Sequence, residues 1–208
     1  MNCRSTRIWS ALMLALTSVS CSVLPDRPAP PAVHDFGLPA ADKRSATGAW
    51  TAATVTAPDW LRDPRLRYRL LYRQPTRIQF YALDRWIAPP PDLLAQRLSA
   101  AAGPAGCPLR VDLQTFEQVF SQPGQARVIV ELQARAAAPG AIADQPLAEQ
   151  RFALSRPCPT PDAAGAVAAF SLAMDDAVSR LDTWLRTLPA GVAGACRGAQ
   201  QDSGTSVH

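Results

Sequence analysis

The sequence predicts a single α/β domain that ends in a long amphipathic helix. Three observations carry that prediction. Arginines alternate with apolar residues over 65–73, which is the period of a half-buried strand. A second alternation runs over 126–135, where Val128, Val130, Leu132 and Ala134 face one way and Arg127, Ile129, Glu131 and Gln133 the other. Over 162–188 the period changes: Val167, Phe170, Met174, Ala177, Leu181, Trp184, Leu185 and Leu188 fall on one helical stripe.

The elements follow in chain order. Residues 1–20 read as a secretory signal, with Arg4 and Arg7 ahead of an uncharged apolar run over 8–19. That run is shorter than the about 20 residues a membrane-spanning helix needs. Ser18-Val19-Ser20-Cys21 places small residues before a cysteine, as a bacterial lipobox does, with Ser18 where an aliphatic residue is usual. Cys21 is the expected lipidation site, and Ser22 after it, rather than Asp, reads as an outer-membrane sorting signal. Residues 21–32 are a proline-rich, extended tether.

The domain is expected over 33–188. Residues 33–38 (VHDFGL) read as a short first strand, 39–48 as a loop, and 49–58 as a strand stopped at Pro58. Over 65–73, Leu66, Tyr68, Leu70 and Tyr72 share one face and Arg65, Arg67, Arg69 and Arg73 the other. Gln74-Pro75 turns the chain into a return strand over 76–83. Pro89-Pro90-Pro91 then starts a helix carrying Leu93, Leu94, Arg97, Leu98 and Ala101, with Gly103 as its stop. Residues 109–120 form a strand with a bend near Thr115, and 126–135 pairs antiparallel with 147–154. The long helix has Thr160 as its cap, Pro161 at its first position and Asp162 at the positive end of its dipole. Residues 189–208, rich in Gly, Ala, Ser and Gln, read as a disordered tail.

Net charge is +4, carried almost wholly by arginine with Lys43 as the one lysine. So modest a charge on an exported chain argues against a nucleic-acid partner. Catalytic vocabulary is sparse. His34 lies beside the tether and His208 is the last residue, which disfavours Ser–His and Cys–His arrangements. There is no G-x-S-x-G, H-E-x-x-H, C-x-x-C or phosphate-loop pattern. Asp175 and Asp176 point about 100° apart on a helix and read as a solvated face rather than a dyad. No catalytic residue, metal site or cofactor is expected, so the chain reads as a binding protein rather than an enzyme.

Cysteine pairing is constrained by reach. The long helix carries the chain about 40 Å away from Cys158, and the eight residues from 188 to 196 can return at most about 28 Å. Cys158–Cys196 is therefore disfavoured. Cys107 and Cys158 both flank strand ends, so the alternatives are a bond between these two or unpaired thiols.

Arg67, Arg69 and Arg73 admit two readings: the polar face of a strand, or a basic stripe for lipid phosphates or an acidic partner. Trp86 admits three: a plug in the strand-to-helix corner, the lining of an apolar groove, or a surface anchor. Trp50 and Trp60 are expected at the edge of the core.

Four stretches together resemble a known family: the lipobox, "DFGL", "LRYR…RIQFYALDRWIAPPPDLLAQRL" and "AAGAVAAFSLAMDDAVSRLDTWL". They are similar to the ABC-type transport auxiliary lipoproteins of the PqiC/YmbA type. In that family a strand close to Tyr-Tyr-Ala-x-x-Arg-Trp precedes prolines and a Leu-rich helix. Phe80, Tyr81, Ala82, Arg85 and Trp86 occupy those places here. The resemblance spans about 33–188 and implies a mixed β-sheet flanked by helices. It also implies an outer-membrane lipoprotein facing the periplasm, partnered by an MCE-domain protein and an inner-membrane ABC transporter that move lipid between membranes. Phospholipid contact and a homo-oligomer fit that reading, with Arg67, Arg69, Arg73, Arg85 and Trp86 as the contact residues. A structural or envelope-binding lipoprotein unrelated to lipid transport is the alternative.

Overall fold

The computed structural model describes residues 30–38, 47–140 and 145–197. The expected signal, Cys21 and most of the tether lie outside the described residues. Seven strands form one mixed sheet: β1 (Ala32–His34), β2 (Trp50–Thr56), β3 (Arg65–Leu70), β4 (Ile78–Trp86), β5 (Cys107–Gln122), β6 (Gln125–Ala136) and β7 (Ala148–Pro157). Three helices flank it: α1 (Pro90–Ala100), α2 (Ala163–Arg186) and α3 (Ala190–Arg197). No helix among the described residues is long and apolar enough to cross a membrane.

The strand order is β1-β4-β3-β5-β6-β7. β5 organises the sheet because it is long enough to serve two neighbours on one edge. Its first half pairs in parallel with β2, from Trp50↔Cys107 to Thr56↔Asp112. Its second half pairs in parallel with β3, from Tyr68↔Gln118 to Leu70↔Phe120. β6 runs antiparallel along its other edge, and β7 along β6. The expected bend is present: the register slips between Leu113 and Thr115. One extra residue there resets the alternation, so Leu113 and Phe116 are both buried although three positions apart.

Helices cover one face of this sheet. Leu109, Val111, Leu113 and Phe116 of β5, Val128, Val130, Leu132 and Ala134 of β6, and Phe152 and Leu154 of β7 are buried beneath them. The alternate residues make a polar face. There Thr115 donates to Glu131 at 2.7 Å, Gln133 donates to Glu149, and Arg135 pairs with Glu149 at 3.0 Å.

Local chemistry explains the helix starts. α1 begins with Pro89 as its N-cap and Pro90 and Pro91 behind it. Proline has no N–H to leave unsatisfied at the first turn, and its fixed φ suits the helix. At α2 the cap is Asp162, not Thr160 as expected: its carboxylate accepts the Gly165 N–H at 2.8 Å while Thr160 donates to it at 2.7 Å. Gly165 is required here, because a Cβ would sit 2.0 Å from the Thr160 carbonyl oxygen.

The end of the domain departs from expectation. Residues 190–197, expected to be disordered, form α3. A disulfide joins Cys107 to Cys196 with Cα atoms 4.6 Å apart, and Cys158 stays a thiol. Both alternatives for Cys107, a bond to Cys158 and an unpaired thiol, are therefore corrected. Cys158 lies 3.5 Å from Gln118, eleven residues along β5 from Cys107, which is about 35 Å of strand. Both cysteines flank strand ends, but at opposite ends of the sheet.

Candidate functional site

The stretch 65–98 supplies almost every residue singled out in the sequence, and the fold distributes them over three environments. The first is the corner between β4 and α1. Trp86, 1% exposed, makes edge contacts with Phe36 (5.3 Å), Phe116 (5.8 Å) and Phe170 (5.6 Å). Phe116 and Phe170 stack at 4.0 Å. Of the three readings for Trp86, the core plug is the one observed. The "DFGL" stretch explains itself in the same place, since Phe36 carries the chain after β1 into this cluster.

A buried ion pair closes the corner. Arg97 of α1, 6% exposed, donates to the Phe36 carbonyl at 2.6 Å and lies 3.5 Å from Asp175 of α2. Ser171 donates to the same carbonyl at 2.6 Å. Asp175 is thus not on a solvated face as expected. Asp176 points elsewhere, to Arg156 (3.2 Å) and Arg180 (3.1 Å), as the helical offset requires. Sequence reasoning placed Arg97 on the apolar stripe of α1, and a charge on an apolar stripe was the available signal that it needs a buried partner.

The second environment is the polar face of β3. Arg67, Arg69 and Arg73 do not form one basic stripe. The short 3-10 turn Asp59–Leu61 places the Trp60 carbonyl where Arg67 donates to it, and Arg67 is 6% exposed. Burial lowers its guanidinium pKa from the ordinary arginine value, against the fields of Asp63 and Glu117. Arg69 is held by Glu117 through contacts of 3.0 to 3.3 Å. Arg85 is exposed, opposite Arg65 of β3 and Val33 of β1. Arg65 lies 3.9 Å above the Phe80 ring and pairs with Asp63, whose carboxyl its hydrogen bond holds below the ordinary range. Trp50 is wholly buried and donates to the Leu98 carbonyl at 3.0 Å, whereas Trp60 is exposed rather than at the core edge.

The third environment is the end of the sheet where β3 turns into β4. β3 stops at Leu70, so Arg73 lies in the turn and not on the strand. Leu71, Tyr72 and Ile78 are exposed there, beside Arg73 and Arg77. The Leu71 N–H donates to the Phe120 carbonyl at 2.9 Å, which sets this turn beside the β5–β6 turn and Arg127. Just inside lies a buried polar chain. Tyr81 donates to Gln118 at 2.7 Å, and Gln118 donates to the Asp162 carbonyl at 3.2 Å and touches the Cys158 sulfur. Burial raises both the Tyr81 hydroxyl and the Cys158 thiol above their ordinary pKa values.

His34 has an ordered partner, contrary to expectation: its Nε2 is 2.8 Å from Asp84. His34 borders a groove of about 410 Å³ shared with Val33, Ile87, Val167 and Ser171. Ser171 gives its hydrogen to the Phe36 carbonyl rather than to the imidazole, so these three side chains do not make a nucleophile–base–carboxylate relay. Among the described residues no group of three or more His, Cys, Asp or Glu is placed to hold a metal ion.

Neither a family model nor a curated protein matches the chain. Solved structures do. The crystal structure of protein XCC0632 from Xanthomonas campestris, described with the family model DUF330, is 20% identical with a TM-score of 0.59, covering 84% of this chain and 100% of that one. A crystal structure of an uncharacterized protein is 12% identical with a TM-score of 0.54, covering 75% and 99% respectively. At these identities the likeness is one of fold: the chain shares its mixed α/β architecture with a DUF330 protein over the whole of that protein's length.

Proposed function

We propose that this chain is a non-catalytic outer-membrane lipoprotein of an intermembrane lipid-transport system, held by lipid on Cys21. It docks the periplasmic MCE-domain assembly fed by an inner-membrane ABC transporter, or accepts lipid from it. The observation that carries the reading is the β4–α1 corner. The strand-then-proline order of the auxiliary-lipoprotein pattern is realised as β4 running into α1, with Trp86 buried at the junction. The long terminal helix of the resemblance supplies Phe170 to that same cluster. Fold likeness to a DUF330 protein supports the domain but not its partners.

The test is cross-linking in whole cells followed by identification of the captured proteins, with globomycin added in parallel. Capture of an MCE-domain protein and accumulation of unprocessed precursor under globomycin are the expected results. Normal processing under globomycin removes the anchor, and capture of peptidoglycan-bound proteins alone moves the chain to an envelope-binding role.

A further inference from the structure

We propose that the paired turns at the end of the sheet, 70–78 and 119–127, form a docking surface for an anionic phospholipid bilayer. Leu71, Tyr72 and Ile78 are 41%, 47% and 38% exposed, three large apolar side chains within eight residues. Arg73 and Arg77 are exposed between them, and Arg127 is exposed on β6, across β5. Neither turn contains an acidic residue. The carboxylates nearest in sequence or across the sheet are already engaged, Glu117 by Arg69 and Asp162 by the start of α2. The surface is therefore basic and apolar at once. Arginine and tyrosine suit a membrane interface because each has an apolar body and a polar end that stays at headgroup level. A protein interface of this charge would need an acidic partner. A bilayer surface needs only anionic headgroups, and takes the protruding apolar side chains without a matching pocket.

Topology supplies a second, separate argument. β1 runs parallel to β4, with Ala32 opposite Asp84, and β4 begins at the tip with Ile78. From Ala32 onward β1 therefore runs away from the tip, which leaves its N-terminal end on the tip's side. Asp84 is six residues along β4 from Ile78, about 20 Å. Eleven residues separate Cys21 from Ala32, a reach of at most about 38 Å. A bilayer holding a lipid on Cys21 is thus within reach of the tip. This argument rests on the proposed lipidation, whereas the first does not. An acyl anchor limits distance but leaves orientation free, and the tip would fix which end of the sheet faces the lipid.

The experiment uses the full chain with Cys21→Ser, so that no acyl group contributes, sedimented with vesicles. One set is phosphatidylcholine alone, the other an equal mixture of phosphatidylcholine and phosphatidylglycerol. Binding to the anionic set, weakened by salt, is expected. Arg73→Ser, Arg77→Ser and Arg127→Ser together should reduce it by about a hundredfold, since each arginine near an anionic surface is worth about a factor of five. Residues 1–20 contribute equally to both proteins, so the difference isolates the tip. Leu71→Ser, Tyr72→Ser and Ile78→Ser together should weaken binding while keeping its salt dependence; if that variant fails to fold, the arginine variant carries the test alone. Equal binding to neutral and anionic vesicles, or an unchanged affinity of the arginine variant, overturns the proposal. So does absence of vesicle binding together with loss of a protein cross-link in the arginine variant, which makes the tip a protein-docking surface. Vesicle binding without capture of an MCE-domain protein leaves this surface standing and removes the transport role; the reverse pair of results does the opposite.

Discussion

The β4–α1 corner and the β3–β4 turn lie within one stretch of sequence and use the same residue types. Each combines arginine with aromatic and aliphatic side chains. At the corner, Arg97 is enclosed and its charge is answered by Asp175 and the Phe36 carbonyl. At the turn, Arg73 is exposed, and Tyr72 beside it is half exposed. An arginine inside must bring its counter-charge into the fold, because an uncompensated buried charge costs several kcal/mol. An arginine at the tip needs none, and is free to find its counter-charge on something else. The two regions differ in depth within the sheet and not in composition.

That contrast can be broken most severely at Trp86. Trp86→Ala should lower unfolding stability by about 3–5 kcal/mol, read by chemical denaturation. A variant that denatures like wild type would mean that the aromatic cluster does not hold the corner. Next comes the buried pair. Arg97→Met alone takes from Asp175 the Arg97 counter-charge and should cost about 3–5 kcal/mol, whereas Arg97→Met with Asp175→Leu should recover most of the loss. Equal destabilisation by the single and double variants would show that packing, rather than the lost counter-charge, sets the cost.

A smaller effect separates the α2 cap from both regions. The Gly165 N–H and the Thr160 hydroxyl hold the Asp162 carboxyl below its ordinary value of 3.8. Its folded pKa is depressed, so its contribution to stability is present above that ordinary value and is lost as pH falls through the folded one. Asp162→Asn should flatten the acid limb of the stability profile below about pH 4. An unchanged acid limb would mean that this carboxylate is not linked to folding. The smallest effect belongs to the tip: Arg73→Ser, Arg77→Ser and Arg127→Ser together should move stability by no more than about 0.5 kcal/mol. A larger loss would mean that these arginines are held in the fold by more than the Arg77–Gln74 hydrogen bond.

What was legible in the sequence was legible because it is local. The alternation over 126–135 depends only on the pleat, and it survives as β6. The bend near Thr115 was visible because apolar residues at 113 and 116 cannot share a face without an inserted residue. Arg67 misled because its burial comes from the Asp59–Leu61 turn, whose carbonyl has no signature on β3 itself. Asp175 misled because its partner is 78 positions away on another helix, and a strip of sequence does not say which helix faces which. The disulfide misled twice. Reach excluded Cys158–Cys196, but the glycine and alanine content of 190–197 hid the helix that returns Cys196 to Cys107. Flanking strand ends also looked equivalent until β5 proved long enough to keep them apart.

The shared edge of β5 has a consequence for the order of folding. The β3–β4 hairpin can pair as soon as residues 65–86 are available, since its contacts are local. β2 cannot: its pairing in the sheet is to Cys107–Asp112, more than fifty residues later. β1 waits on β4 in the same way, and Trp86 waits for Phe116 and then Phe170. A chain emerging from its N-terminus therefore has no closed core until α2 has appeared. Until then Trp50 and Trp86 lack strand and ring partners that they have in the finished fold.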